Sequence, residues 1–78
     1  MVMDIEKDLR EAIKFAESNF AEYNSFHEGY GIIAEEFDEL WDEIKEKDHN
    51  RLKLYKEATH VACTAIRFMK LIKRKFEK

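Results

Sequence analysis

Apolar residues recur at intervals of three and four along most of the chain, which is the spacing of one face of an α-helix. The first such segment runs from about Asp4 to Phe26, and Asp4 is a suitable N-cap because its carboxylate can accept a free backbone N–H. Its apolar positions are Ile5, Leu9, Ala12, Ile13, Ala16, Phe20 and Tyr23. The pattern therefore predicts a first amphipathic helix over this range.

An interruption follows between Asn24 and Gly31, and it contains both glycines of the protein. Glycine inside a helix costs about 1 kcal/mol relative to alanine. Two glycines this close together therefore predict either a joint between helices or a close approach of another part of the chain to the backbone.

Two further helices are predicted, from Glu28 or Ile32 to Lys47 and from Arg51 to Phe76, with Asp48 or Asn50 as the cap of the last. The apolar positions of the second are Ile33, Phe37, Leu40, Trp41 and Ile44. The stripe of the third consists of Leu54, Ala58, Val61, Ala62, Ala65, Phe68, Met69, Ile72 and Phe76. At this core spacing we expect Phe37 and Trp41 to pack inside the protein rather than stack on a nucleobase.

The expected fold is all-α, a single domain over residues 1–78, whose three-helix protomer completes a four-helix-type bundle by oligomerisation. The third helix carries more apolar residues than one protomer is expected to cover, and an exposed patch of that size usually marks an association surface. Beside or beyond its main stripe lie Leu52, Tyr55, Ile66 and Leu71. We therefore expect a homo-oligomer, either a dimer or a tetramer.

Composition and charge narrow the function classes. The 78 residues are 45% hydrophobic and 40% charged, with no proline, which excludes a turn-rich β-sandwich and a proline-rich disordered tail. A net charge of −3 argues against a partner that is duplex nucleic acid.

The lone Cys63 and the lack of a signal peptide or a spanning segment favour a cytoplasmic protein without membrane contact. We expect Cys63 to be buried and unreactive.

Carboxylates concentrate between Glu35 and Asp48, where the chain has eight acids and two lysines. At about 100° per residue, Glu36, Glu39 and Glu43 fall along one edge of the apolar stripe of the second helix, and other acids lie on its outer face. Glu57 and His60 form a similar pair on the third helix. If the two helices pack antiparallel, these side chains face each other and suit a divalent cation. A solvated acidic edge is the alternative, because such spacings are common on charged helices.

The order of these motifs resembles a known family. Glu35-Glu36-Phe37-Asp38-Glu39 has the form EExxE, and after seventeen residues Glu57-Ala58-Thr59-His60 has the form ExxH. This is similar to the MazG-like, all-α nucleoside triphosphate pyrophosphohydrolases, with EExxE followed by ExxD, and in particular to their small phage and prophage members. The similarity covers about residues 20–72, including the segment 27–33 before the acids.

The resemblance implies a hydrolase that cleaves a nucleoside triphosphate to the monophosphate and pyrophosphate. It implies Mg²⁺, with Mn²⁺ as an alternative, held by Glu36, Glu39, Glu57 and the residue at position 60. Glu35 and Glu39 take the catalytic roles, since a neighbouring glutamate can orient the attacking water as a general base. The family's dimers and tetramers imply the same oligomeric state as the apolar pattern.

His60 departs from the family pattern, which has aspartate at that position. Neutral imidazole is a poor ligand for Mg²⁺ and a good one for Mn²⁺, Zn²⁺ or Ni²⁺, and the exchange removes one negative charge. His60 is thus either a site residue or a partly exposed histidine outside the site. The expected function is a pyrophosphohydrolase with weakened activity, and the alternative is a catalytically degenerate bundle acting through self-association or a protein partner.

Overall fold

The structure, a computed structural model, describes residues 2–77. Helix α1 spans Ile5–Asn19, helix α2 spans Phe26–Lys45 and helix α3 spans Arg51–Phe76. No strand occurs between residues 2 and 77. The prediction of an all-α, three-helix chain is confirmed.

Each helix begins after a polar side chain that accepts a backbone N–H three residues later. The caps are Asp4, Ser25 and Asn50, and they accept from the amides of Lys7, Glu28 and Lys53 at 3.2, 3.0 and 3.1 Å. Such caps contribute about 1 kcal/mol each to helix stability. They confirm Asp4 and one of the two predicted caps of α3, and Ser25 explains why α2 begins at Phe26.

The predicted boundaries of α1 and α2 were wrong at three of their four ends. Helix α1 ends at Asn19 rather than Phe26, and α2 runs from Phe26 to Lys45 rather than from Glu28 or Ile32 to Lys47. The apolar spacing continues past Asn19 because Tyr23 enters the core from the connecting segment, where it is 3% exposed. Its hydroxyl donates a hydrogen bond to the carbonyl of Thr64 at 3.3 Å.

Both glycines lie inside α2, and only one of them has a packing role. A Cβ at Gly29 would lie 2.6 Å from Cδ2 of Phe68 and 2.9 Å from Cδ2 of Tyr23, whereas a Cβ at Gly31 would meet nothing within 4 Å. A close approach at Gly29 is confirmed. The joint between α1 and α2 includes Asn24 and Ser25 of the predicted interruption but neither of the two glycines.

Helix α3 is the central element, and α1 and α2 both pack on it. Across residues 2–77, α1 and α2 do not pack on each other. The hydroxyl of Tyr55 donates to Oδ2 of Asp8 at 2.6 Å and so ties α3 to the first turns of α1. The α1–α2 connection is tied to α3 by Arg67 and Arg74, which donate to the carbonyls of Ala21 and Tyr23.

The core uses only part of the predicted α3 stripe. Leu71, expected to lie beside the main stripe, is 1% exposed, and Tyr55 and Ile66 are half-buried. Phe37 and Trp41 of α2, expected inside, are 62% and 54% exposed. Four residues of the predicted α3 stripe are half-buried, namely Leu54, Val61, Ala62 and Phe68, and five are exposed, namely Ala58, Ala65, Met69, Ile72 and Phe76. The burial of Cys63 is confirmed.

None of the helices within residues 2–77 has the length and apolarity of a bilayer-spanning segment.

Candidate functional site

Antiparallel packing of α2 and α3 brings four ionisable side chains together at their interface. They are Glu36 and Glu39 from α2 and Glu57 and His60 from α3, and one ligand atom from each lies within 4.8 Å of the others. We refer to these four residues as the acid–histidine cluster. In each pair the two residues are three positions apart, which is about one helical turn, so both side chains of a pair point towards the other helix.

The cluster contains two buried oxygen atoms with unused hydrogen-bonding capacity. Nδ1 of His60 lies 3.5 Å from Oε2 of Glu36 and 3.7 Å from Oε2 of Glu57. Neither carboxylate oxygen has a hydrogen-bond partner among the described residues, although both are buried. An unsatisfied buried polar group costs about 1–3 kcal/mol, and more when it is charged. A cation between the carboxylates would remove that cost.

The electrostatics of Glu36 also favour a positive charge between the carboxylates. Burial raises the pKa of its carboxyl above the ordinary value, the charge of nearby Glu39 raises it further, and His60 opposes the shift. Ionised Glu36 is therefore disfavoured in the folded state. It follows that the ion-free protein gains stability as the pH falls from neutral towards the ordinary pKa of glutamate, because the folded state then binds the proton more tightly than the unfolded state.

The donor set fits a divalent ion. Three carboxylates offer the hard oxygen ligands that Mg²⁺ and Mn²⁺ prefer, and the two unpartnered oxygens of Glu36 and Glu57 lie 3.5 and 3.7 Å from Nδ1 of His60. The fourth group, the imidazole of His60, favours Mn²⁺ or another transition ion over Mg²⁺. The side chain of His60 is 39% exposed and lies among the carboxylates of the cluster. Its role as an ion ligand stays a prediction.

The remaining predicted acids lie outside the acid–histidine cluster. Glu35 is exposed and sits one turn before Glu39 on the open side of α2. Glu43, one turn after Glu39, is half-buried. Asp38 and Asp42 are exposed, as expected for the outer face of α2. Glu39 is thus the solvent-exposed member of the cluster on α2, and Glu35 is an exposed acid one turn before it.

An open cleft of about 320 Å³ adjoins the cluster. Its lining residues come from all three helices and the α1–α2 connection: Ala12, Phe15, Ala16, Phe20, Glu36, His60, Cys63, Thr64 and Arg67. Glu36 and His60 belong to both the cleft and the cluster, so the two are continuous. The rings of Phe15 and Phe20 meet edge to face at 6.4 Å, and both remain largely exposed. Burial raises the pKa of the Cys63 thiol, which makes it an inert part of the lining.

The cleft has an aromatic and a cationic component. Phe15 and Phe20 line it, whereas Tyr30 and His27 do not. Arg67 also lines the cleft, whereas Lys53 and Lys56 do not. The Arg67 guanidinium lies 4.7 Å from the ring centre of Tyr23. Its positive charge is therefore held at the edge of the cleft.

Comparison with known proteins returns no relatives. The chain matches no protein-family model, no curated protein and no solved structure. The resemblance to MazG-like enzymes, which depends on the motif order, therefore stays a hypothesis. What this chain does is best argued from the acid–histidine cluster and the cleft beside it.

Proposed function

We propose that the protein is a divalent-cation-dependent nucleoside triphosphate pyrophosphohydrolase, weakened by the histidine in its ion site. The observation that carries this proposal is the acid–histidine cluster, with two buried carboxylate oxygens that lack partners and an adjoining cleft. The cluster would hold an ion that binds the phosphate oxygens of a polyphosphate, and the cleft of about 320 Å³ would take the nucleoside. The cluster and the cleft are continuous through Glu36 and His60, which supports a single substrate that reaches both.

Glu36, Glu39, Glu57 and His60 would hold the ion. When bound, the ion supplies the positive charge that stabilises phosphoryl transfer to water. Glu35 is an exposed acid outside this set, one turn before Glu39 on α2, so we assign it the role of the general base that accepts the proton of the attacking water. Glu39, next to it, supports that role by orienting the same water. Attack on the α-phosphorus breaks its bond to the oxygen that leaves with the β-phosphate.

Phe15 and Phe20 would contact the base of the nucleotide. Both rings are exposed at the cleft and their faces are available for stacking, which tolerates any base. Arg67 places a positive charge at the same cleft, where it attracts the anionic substrate.

We further propose that the chain works as a homo-oligomer that completes a four-helix-type bundle. The support is the small core: the buried hydrophobic residues among those described are Ala16, Tyr23, Cys63 and Leu71. A chain of 78 residues without a disulfide framework needs additional burial, which oligomerisation supplies. The buried free thiol of Cys63 fits a reducing compartment such as the cytoplasm.

Pyrophosphate release from a panel of nucleoside and deoxynucleoside triphosphates, with Mg²⁺ and with Mn²⁺, tests the reaction. We expect turnover with at least one nucleotide, faster with Mn²⁺, because imidazole ligates Mn²⁺ better. Glu57→Gln should reduce the rate at least tenfold, since ligand-shell changes commonly cost 10–100-fold. Asp38→Asn, an exposed acid of α2 outside the cluster, is the matched control. Absence of pyrophosphate under all conditions contradicts the proposal.

A second candidate function is a catalytically degenerate bundle that acts through association with itself or with a protein partner. Two observations favour it. His60 occupies the position at which the MazG-like pattern has aspartate, and several large apolar side chains of α2 and α3 are exposed. Failure of turnover together with retained association would support this candidate over the enzyme.

Divalent cations should raise the melting temperature of the protein, whichever function is correct for the site. An ion at about ten times its Kd stabilises the native state by about 1.4 kcal/mol, which raises the Tm of a domain this small by roughly 5–10 °C. Calorimetry or circular dichroism with millimolar Mg²⁺ or Mn²⁺ measures the rise, and EDTA should reverse it.

Glu36→Gln separates two contributions to the melting temperature, that of the bound ion and that of the ion-free fold. It removes a buried carboxyl whose pKa is raised, so the ion-free variant should melt higher than the native protein at neutral pH, and its response to cations should be lost. Asp38→Asn should keep the full response. A Tm that Mg²⁺ and Mn²⁺ leave unchanged in the native protein would count against an ion site.

A further inference from the structure

His60 lies where the acid–histidine cluster meets the cleft, and its two ring nitrogens have different surroundings. Nδ1 is the nitrogen on the side of the carboxylates, 3.5 Å from Oε2 of Glu36 and 3.7 Å from Oε2 of Glu57. The two nitrogens of an imidazole point to nearly opposite sides of the ring. Nε2 is therefore turned away from these two carboxylates.

Nε2 is accessible and has no partner in the protein. It makes no hydrogen bond within residues 2–77, and it is not one of the buried polar atoms without a partner, which are oxygens of Glu36 and Glu57. The side chain of His60 is 39% exposed. Because His60 lines the cleft, the accessible edge of its ring, which includes Nε2, borders the cleft.

The distances at Nδ1 fit shared ligation of an ion better than hydrogen bonding. A hydrogen bond from a ring N–H to oxygen spans about 2.7–3.2 Å, and both contacts of Nδ1 are longer. Two atoms that bind one ion at about 2.1 Å each lie roughly 3–4 Å apart. The spacing is therefore suitable for an ion between Nδ1 and the two carboxylate oxygens.

An ion on Nδ1 leaves Nε2 with a hydrogen atom to donate. A histidine that binds an ion through one nitrogen carries the proton on the other, and it almost always donates that N–H to a carboxylate, a backbone carbonyl or water, which orients the ring. Within residues 2–77 no protein group accepts from Nε2 of His60. The ion-loaded ring would therefore present a free N–H donor to whatever occupies the cleft.

We infer that this N–H donates to a phosphate oxygen of the nucleotide in the cleft, so that one imidazole joins the ion to the organic ligand. The acceptor belongs to the phosphate attached to the nucleoside, because that group lies where the ligand passes from the cleft to the ion. Arg67 is seven residues further along α3, about 10 Å along the helix axis, and so is distant from this junction. The identity of the acceptor rests on the proposed nucleotide substrate.

A nucleoside monophosphate is the probe for this contact, since it carries the phosphate in question and has no anhydride bond to hydrolyse. Titration calorimetry should show that Mn²⁺ and the monophosphate each raise the affinity of the protein for the other by the same factor. The parent nucleoside, which lacks the phosphate, should show no such coupling with Mn²⁺.

His60→Asn and His60→Gln separate the two nitrogens, because the amide of asparagine lies near the position of Nδ1 and that of glutamine near the position of Nε2. His60→Asn should bind Mn²⁺ nearly as well as the native protein and should bind the monophosphate about tenfold more weakly at saturating Mn²⁺, the effect expected of one lost hydrogen bond to a charged group. His60→Gln should show the reverse, with Mn²⁺ affinity reduced about tenfold or more.

Two controls make these results specific to the ring of His60. His27→Asn makes the same exchange at an exposed histidine outside the cluster and should change neither affinity. If a triphosphate is hydrolysed, His60→Asn should raise KM and leave kcat nearly unchanged, because the donor contributes to binding. His60→Asp also lacks the donor, so its KM should rise although its ion binds more tightly.

The positions of the metal and the proton on the ring can be read directly. In long-range ¹⁵N NMR of the protein loaded with diamagnetic Zn²⁺, Nε2 of His60 should carry the proton, and its resonance should move when the monophosphate is added. Zinc on Nε2 would overturn the assignment. A Nε2 resonance that the monophosphate leaves unchanged would assign the N–H to water and overturn it as well.

The affinities are measured without turnover, so the two proposals fail in different ways. Absence of pyrophosphate release, with coupling and variants as expected, contradicts the reaction and supports the role of His60. No monophosphate binding by the Mn²⁺-loaded native protein at millimolar concentration would overturn that role. Loss of both affinities in both variants would also overturn it, because it would indicate a structural effect.

Discussion

Gly29→Ala is expected to unfold at a markedly lower temperature than Gly31→Ala, although both replace a glycine inside α2. The added methyl group at position 29 would lie 2.6 Å from Cδ2 of Phe68 and 2.9 Å from Cδ2 of Tyr23. The ring of Tyr23 does not move easily, because it is buried and its hydroxyl donates to the carbonyl of Thr64. Overpacking of this kind costs about 1–3 kcal/mol.

The Gly31 variant isolates that packing cost from helix propensity. Both substitutions gain about 0.5–1 kcal/mol by replacing glycine in a helix, but the new methyl at position 31 meets nothing within 4 Å. Gly31→Ala should therefore be more stable than the native protein, and Gly29→Ala about 1–3 kcal/mol less stable than Gly31→Ala. Thermal or urea unfolding at equal protein concentration measures the difference. Equal stability of the two variants would mean that α2 and α3 are not in close contact at Gly29.

His60→Asp should change which ion the protein prefers. Aspartate replaces a nitrogen ligand by a hard oxygen ligand and adds one negative charge beside Glu36 and Glu57. Mg²⁺ affinity should rise at least tenfold, in line with the effect of ligand-shell changes, and the advantage of Mn²⁺ over Mg²⁺ should shrink. Any pyrophosphohydrolase activity should increase in the same variant. Titration calorimetry with each ion, in the absence of nucleotide, gives the affinities directly.

Two further measurements make the His60 result specific. The ion-free Asp variant should melt lower than the native protein, because a fourth carboxylate adds repulsion to the cluster, and Mg²⁺ should restore its Tm. His27→Asp makes the same chemical change at an exposed histidine outside the cluster and should leave ion affinity as it is. Unchanged or weaker Mg²⁺ binding in His60→Asp would show that His60 does not face the ion.

Sequence spacing predicted the elements that depend on local patterns. Helix α3, the caps Asp4 and Asn50, and the face-to-face placement of the two acid-bearing pairs could all be derived from helical periodicity. Glu36 and Glu57 meet because both lie towards the α2–α3 interface. That interface could be anticipated once two neighbouring helices were assumed to be antiparallel.

The parts that depended on tertiary packing could not be predicted in the same way. Tyr23 continues the apolar spacing of α1 but reaches the core from a connection, so the end of α1 was placed too late. The cleft was missed for the same reason, since its position depends on where α1 ends and how it lies on α3. On α3, the last residues of the predicted stripe, Met69, Ile72 and Phe76, lie outward, whereas Leu71 lies inward. Phe68 of the same stripe packs at Gly29 of α2. Periodicity identifies an apolar face and does not say whether the same chain or another one covers it.

Within residues 2–77, α1 packs on α3 and does not pack on α2. The acid–histidine cluster is formed by α2 and α3 alone, whereas four residues of the cleft belong to α1 and its connection to α2. Segments that make few contacts with the rest of a protein open locally at a lower free-energy cost than global unfolding. If the proposed ligands bind, a displacement of α1 would therefore change the contacts of a nucleotide in the cleft and leave the four ion ligands in place.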